Sequence, residues 1–325
     1  MPDKHIPIHC LTVDVEDYFQ VAAFRHSVSM GDWDRMPSRV EDNTAKVLEL
    51  FDELEVKATF FVLGWIAEKF PGIVRRISQA GHELGCHSYS HQLIYDLGPE
   101  AFRHDTMRAL DAIQQAGGKR VSFYRAPSFS ITKRSLWALD ILVETGFTHD
   151  SSIFPIRHDL YGLPGAPQKP FVLRLAGGQL VEFPPSTLAW CGGRFPFTGG
   201  GYLRTLPLAF QRKGFRILEG NGVPTMIYVH PWELDPEQPR IKAPLRSRFR
   251  HYTGLTRTAS RLRKLMLEFR FVPMSEALSM QLPVFEMGEN GEFCALNAAS
   301  ATPSFSCAKS AAHSKEPEPR VNVCL

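Results

Sequence analysis

Two histidines four residues apart, His87 and His91, stand in the stretch Gly81-His82-Glu83-Leu84-Gly85-Cys86-His87-Ser88-Tyr89-Ser90-His91. On a helix, residues i and i+4 share a face, and a tight turn brings them equally close, so both imidazoles can grip one ion. The pair alone is a modest signal, since a single surface histidine is usually no more than that. A second cluster strengthens it: Asp14-Val15-Glu16-Asp17 closes an apolar run near the N-terminus. Two imidazoles and a carboxylate make a facial set that leaves the rest of a divalent ion's coordination sphere open to water and substrate.

The elements that must position these residues follow from patterning. Residues 6–15, Ile-Pro-Ile-His-Cys-Leu-Thr-Val-Asp-Val, read as a buried strand ending in acid. Glu41-Asp42-Asn43-Thr44 reads as the cap of an amphipathic helix bearing Val47, Leu48, Leu50, Phe51 and Leu54. Further strands are expected at 57–63, 83–86, 121–124, 147–153, 171–175, 180–183 and 225–230. Helices are expected over 64–81, 99–116, 132–146, 207–219 and 246–268. The β-α-β-α alternation argues an α/β protein with a parallel sheet, open or closed into a barrel. On this reading Asp14, Glu16 and Asp17 follow the first strand, His87 and His91 the third, and Arg125 the fourth. Asp150 and His230 lie on or after two later strands. Ligands bind at that edge of parallel α/β folds, and a random scatter of polar residues would not track it.

Composition narrows the function classes. A chain of 325 residues can bury a large core, and 44% hydrophobic with 22% charged residues is ordinary for a soluble globular protein. The net charge, 37 − 34 = +3, is too small to suggest nucleic-acid binding. A basic run, Arg246, Arg248, Arg250, Arg257, Arg261, Arg263 and Lys264, reads more readily as a solvated helix face than as an anion-binding surface. The six cysteines form no CxxC and no regular framework, so structural disulfides are not indicated. With no charged leader and apolar core at the N-terminus, and no run of about 20 apolar residues, a cytosolic protein with no transmembrane segment is the expectation. The loop from Asp17 to Arg39 holds Tyr18, Phe19, Phe24, Met30, Trp33 and Met36, which either line a groove or pack against a rim. His82 reads as a capping or packing residue, and His158-Asp159 as a turn or a sugar contact. Residues 286–325, rich in Ala, Ser and Pro, read as a disordered tail after a domain spanning 8–282.

Taken together, these motifs resemble the NodB-type polysaccharide deacetylases, carbohydrate esterase family 4. The family's metal-binding HxxxH matches His87-Ser-Tyr-Ser-His91, its Arg-x-Pro matches Arg125-Ala-Pro127, and its late histidine motif matches Val229-His230-Pro231. Leu11-Thr-Val-Asp-Val-Glu-Asp-Tyr-Phe19 is similar to the branch associated with exosortase and exopolysaccharide gene clusters. The resemblance covers roughly residues 8–280, with a family-specific C-terminal part from about residue 240. It implies a distorted (β/α)7-type barrel with a C-terminal extension, and hydrolysis of N-acetyl or O-acetyl groups on a sugar polymer or its precursor.

One departure matters. The family's usual motif has two adjacent aspartates, a base and then a metal ligand, and here Val15 holds the second position. Residues i and i+2 of a strand point the same way, so Glu16 can share a face with Asp14, whereas a turning chain would offer Asp17 instead. The resemblance implies one divalent ion on His87, His91 and Glu16 or Asp17. Zinc suits that set, and cobalt, nickel or iron also fit. It further implies Asp14 as base, His230 as acid, Arg125 paired with Asp14, and Asp150 orienting His230. Trp190, Tyr202 and Trp232 could stack on pyranose faces, although core packing is the commoner fate of such rings. The expected partner is an acetylated polysaccharide or oligosaccharide. The same residues would also serve a hydrolase of small amides, or a carbohydrate-binding relative without turnover.

Overall fold

A computed structural model of the chain describes residues 8–117, 121–190, 193–288 and 291–296. The first five strands, β1 (His9–Val15), β2 (Thr59–Val62), β3 (Glu83–Cys86), β4 (Phe123–Tyr124) and β5 (His149–Asp150), run parallel in that order. Between them lie helices α1 (Val40–Glu53), α2 (Gly64–Lys69), α3 (Pro71–Gln79), α4 (Pro99–Gly117) and α5 (Trp137–Glu144). A hairpin of β6 (Phe171–Leu175) and β7 (Gly178–Glu182) then adds β7 to β5. A separate antiparallel pair, β8 (Thr187–Trp190) and β9 (Gly193–Pro196), precedes α6 (Gly200–Thr205) and α7 (Leu208–Gly220). Next β10 (Met226–Val229) returns beside β1, placing β1 between β10 and β2, with Cys10 opposite Met226 and Thr12 opposite both Tyr228 and Thr59. All seven residues of β1 are buried, as expected for a parallel strand covered on both faces.

The sheet is therefore mostly parallel with helices around it, a distorted barrel that stays unclosed between β7 and β10. The intervening chain bridges that gap. Ser186 Oγ accepts from the Met226 N–H at 2.8 Å, and Gly199 forms a parallel bridge with Tyr228.

Several boundaries differ from the sequence expectation, each for an identifiable reason. The helix expected over 64–81 is two helices, because Pro71 has no N–H to continue α2 and instead opens α3. The basic helix expected over 246–268 is α8 (Leu245–Tyr252) and α9 (Leu255–Glu268), broken at Gly254. Gly254 sits at φ +81°, and a Cβ there would lie 2.6 Å from the Arg204 carbonyl oxygen. Helix α1 begins at Val40, so Asn43 and Thr44 are buried within it rather than capping it. In the aromatic loop Tyr18, Phe19, Phe24 and Trp33 are buried, which is the packing alternative rather than the groove.

The tail expected from residue 286 is corrected in its first part. After β11 (Phe271–Val272) and α10 (Met274–Ala277), β12 (Val284–Met287) joins β6 in parallel, and β13 (Phe293–Ala295) pairs with β12. Phe285 and Phe293 each stand 5.5 Å from the Phe171 ring, so burial overrode the polar composition around them. The rest of that tail, 297–325, lies outside the described residues, as do Cys191, Cys307 and Cys324.

Candidate active site

The C-terminal ends of β1, β3, β4 and β10 bring Asp14, Glu16, His87, His91, Arg125 and His230 together. One donor atom each from Glu16, His87 and His91 falls within 4.8 Å of the others. His87 Nδ1 donates to the Arg125 carbonyl oxygen at 2.8 Å, which leaves its Nε2 lone pair for a metal. Glu16 Oε2 lies 2.7 Å from His91 Nε2, yet this buried oxygen and His91 Nδ1 have no hydrogen-bond partner among the described residues. Buried acceptors left in this state, beside two imidazoles, fit a divalent ion. Burial would raise the Glu16 carboxyl, but the imidazoles of His91, His230 and His87 outweigh it and hold it well below the usual carboxylate range. Burial pushes the His87 imidazole down to about 4, so the ring is neutral, as a ligand must be.

The two histidines reach this geometry through a turn rather than a helix, because Ser88 and His91 both have left-handed backbones, φ +66° and +53°. Asp105, on α4, holds that turn. Its Oδ2 accepts from Ser88 Oγ and the Tyr89 N–H, both at 2.8 Å, and its Oδ1 accepts from the Ser90 N–H at 3.1 Å and from Ser90 Oγ. Four hydrogen bonds to one carboxylate compensate the strained backbone. No local pattern marks Asp105, which lies a full connection and half a helix beyond the turn it serves.

Arg125 is fully buried at the centre of the barrel. Its NH1 donates to Asp14 Oδ1 at 2.7 Å and to Thr12 Oγ1 at 2.8 Å, while NH2 donates to Ser151 Oγ at 2.9 Å. Its guanidinium lies 4.2 Å from the centre of the Phe61 ring. The second Asp14 oxygen faces His230 Nε2 at 3.8 Å, and Glu16 Oε1 faces the same nitrogen at 3.5 Å.

His230 is oriented by Glu233, not by Asp150. Glu233 Oε2 accepts from His230 Nδ1 at 2.9 Å and from the His230 N–H at 3.0 Å, and Arg204 Nε stands 2.6 Å from the other oxygen. Burial would lower the His230 imidazole, but Glu16, Glu233 and Asp14 together raise it to about 9. The i,i+3 spacing in His230-Pro231-Trp232-Glu233 was the signal for this partner. Asp150 faces the other way. Its Oδ1 accepts from Ser152 Oγ at 2.5 Å, and its side chain is paired with that of Glu182 on the adjacent β7. Burial raises both carboxyls, Glu182 further because it sits against Asp150, so the two share a proton.

Two more expectations are corrected. Asp17 turns away from the histidines to receive the N-terminus of α1, accepting from Ser38 Oγ at 2.6 Å and from the N–H groups of Arg39 at 2.9 Å and Val40 at 3.3 Å. It is a helix cap from across the loop. Trp232 is 5% exposed and stacks against His230 and His251, at 5.1 and 4.1 Å, while its Nε1–H donates to Glu16 Oε1 at 3.1 Å. That ring supports Glu16 and leaves no face for a sugar. Tyr202 is half-buried, 5.8 Å from Phe195 and hydrogen-bonded to Tyr161, and the Trp190 side chain is outside the description. His82 packs on Phe60 and accepts from the Ala58 N–H, and His158 stacks on Tyr161 at 3.9 Å.

Residues 26–148 match the family model for polysaccharide deacetylase, and residues 151–279 match a domain of unknown function, DUF3473. His87, His91, Asp105 and Arg125 fall in the first stretch, and Arg204, His230 and Glu233 in the second. A peptidoglycan-N-acetylglucosamine deacetylase of Bacillus cereus is 37% identical over 98 residues, covering 30% of this chain and 36% of that protein. A bifunctional xylanase/deacetylase of Pseudobutyrivibrio xylanivorans is 31% identical over 108 residues, covering 33% and 18%. The chain thus spans little more than a third, or less, of these curated relatives. The crystal structure of a provisionally named polysaccharide deacetylase from Mycobacterium smegmatis superposes with a TM-score of 0.60 at 20% identity, covering 85% of this chain and 90% of that one, which shows a shared fold. Over residues 26–148 the chain is thus similar to polysaccharide deacetylases, and over most of its length it shares the fold of a solved one.

Proposed function

We propose that the chain is a metal-dependent hydrolase that removes N-acetyl groups, or O-acetyl groups, from a polysaccharide or its precursor in exopolysaccharide biosynthesis. The observation that carries this reading is the Glu16–His87–His91 donor cluster, with Asp14 and His230 beside it. Water is a poor nucleophile at neutral pH, and a divalent ion, zinc by donor type, would lower its pKa and polarise the acetyl carbonyl. Asp14, hydrogen-bonded to Arg125, takes the proton from the attacking water. His230 is held in its charged form by Glu16 and Glu233 and gives a proton to the departing amine. The relatives' printed activities point the same way, one a peptidoglycan-N-acetylglucosamine deacetylase and the other a bifunctional xylanase/deacetylase. The exopolysaccharide setting rests on the Leu11–Phe19 motif alone.

The test is metal analysis of the purified chain together with acetate release from acetylated hexosamine oligomers and from small amides. Wild type is expected to carry stoichiometric metal and to prefer the oligomers. Glu16→Gln and His87→Ala are expected to lose both metal and turnover, whereas Asp17→Asn keeps its metal. Metal retained by the first two variants, or no acetate release by metal-loaded wild type, defeats the reading.

A further inference from the structure

Helix α8 turns an unusual face to solvent. Leu245 is 79% and Phe249 69% exposed, and the two stand one turn apart on the same side of the helix. The segment Arg240-Ile-Lys-Ala-Pro-Leu-Arg-Ser-Arg-Phe-Arg250 contains five cations and no acid, in a chain whose net charge is only +3. Helical spacing puts Arg248 on one flank of the apolar pair and Arg246 and Arg250 on the other.

Arg240 lies over the Tyr252 ring, 4.2 Å from its centre, and the other four have no acidic partner among the described residues. Among the described residues Lys242, Arg246 and Arg248 make no ion pair, and Arg250 reaches only the His158 ring nitrogen, at 3.3 Å. On neighbouring helices, by contrast, Arg212, Arg216 and Arg263 each meet a glutamate. The inner side of α8 is held firmly. Arg204 donates to the carbonyls of Arg250, His251 and Thr253 at 3.0, 2.6 and 2.7 Å, and His251 stacks on Trp232. Arg204 also contacts Glu233, so the exposed face belongs to the same packed unit as the catalytic histidine.

We propose that α8 and the basic residues before it dock on an anionic lipid bilayer. Leu245 and Phe249 would enter the boundary between headgroups and acyl chains, with the flanking arginines on lipid phosphates. Charge and shape together select this occupant. A soluble polyanion would satisfy the arginines but offers nothing to an exposed leucine. A second copy of the chain would bring two cationic faces together. Residues 297–325 of the same chain hold three cations and two glutamates, 3 − 2 = +1, and supply no acidic complement.

Flotation of the full chain with vesicles tests this. Binding is expected to vesicles of phosphatidylcholine with about a third phosphatidylglycerol, to be absent with phosphatidylcholine alone, and to fall with added salt. Leu245→Glu/Phe249→Glu and Arg246→Glu/Arg248→Glu should each weaken binding by roughly tenfold or more while leaving the thermal midpoint unchanged, since all four side chains are exposed. Failure to bind anionic vesicles, or binding indifferent to both double variants, overturns the proposal. So does a wild-type oligomer that the Leu245/Phe249 variant converts to monomer, and so does equal capture by a soluble polyanion with no dependence on the apolar pair.

Discussion

Asp14 and Glu16 act together because alternate residues of a strand face one way, and the Asp17 side chain, one residue further, is claimed by helix α1. The strand's period thus decides which carboxylate meets the histidines. That much was open to reading in the residues themselves, which left Glu16 and Asp17 as alternatives. The partner of His230 was not, since a carboxylate was expected from β5 and instead arrives three residues downstream. Glu233 has two duties, accepting from His230 and neutralising the buried Arg204. Glu233→Gln keeps an acceptor for Nδ1 but removes the charge. If Glu233 positions His230, kcat falls by about tenfold while KM stays within about twofold. Leaving Arg204 buried and unpaired costs about 3–5 kcal/mol of folding stability. Denaturant unfolding and steady-state kinetics of one preparation check both parts, and an unchanged kcat in the folded variant would remove Glu233 from the mechanism.

Elements supply what single residues cannot. The His87–His91 turn is strained and is held from α4, so Asp105→Ala should loosen both imidazoles at once. Metal affinity is expected to drop roughly 10–100-fold, as when a partner behind a ligand is lost, and competition with a chelator measures it. Affinity unchanged would mean that the ion, not Asp105, shapes the turn. A second element-level device is the carboxyl pair on β5 and β7. Burial raises Asp150, and burial together with the neighbouring Asp150 raises Glu182, so the folded chain holds a proton that the unfolded chain has released. Stability therefore falls as pH rises from about 4, the unfolded carboxyl range, until the folded pair gives up that proton. Glu182→Gln supplies the shared hydrogen from its amide and removes one titration. Its stability should decline less steeply over that window, by up to about 1.4 kcal/mol per pH unit, as urea unfolding at a series of pH values would register. Parallel slopes for the two proteins would exclude a shared proton. The alternating pattern of apolar runs and turn residues made β1 to β5 and β10 legible, because buried parallel strands announce themselves. The helix break at Gly254 and the cap that Asp17 gives α1 depend on contacts distant in the chain, whereas the break at Pro71 is local.

At the scale of the whole molecule, the site is assembled from both stretches matched by family models and from the end of β1 ahead of them, which brings Asp14 and Glu16. The same interdependence sets where the folded unit ends. Composition alone placed the boundary near residue 282, because the following segment is polar and rich in small residues. Yet Phe285 and Phe293 lie edge-on to the buried Phe171, and β12 covers the backbone of β6 through Val284, Phe285 and Glu286. β6 in turn pairs with β7, which carries Glu182 behind Arg125. A chain ended after Pro283 leaves β6 as an open edge and exposes Phe171, losing about 3 kcal/mol of apolar burial. Its melting midpoint should therefore lie about 6–10 °C below that of a chain ended after Leu296. Matching midpoints in calorimetry would mean that β12 and β13 rest on the barrel without supporting it. A deficit of the expected size would place the end of the cooperative unit beyond the last strand that composition reveals, since two phenylalanines suffice to order a segment whose average character is polar.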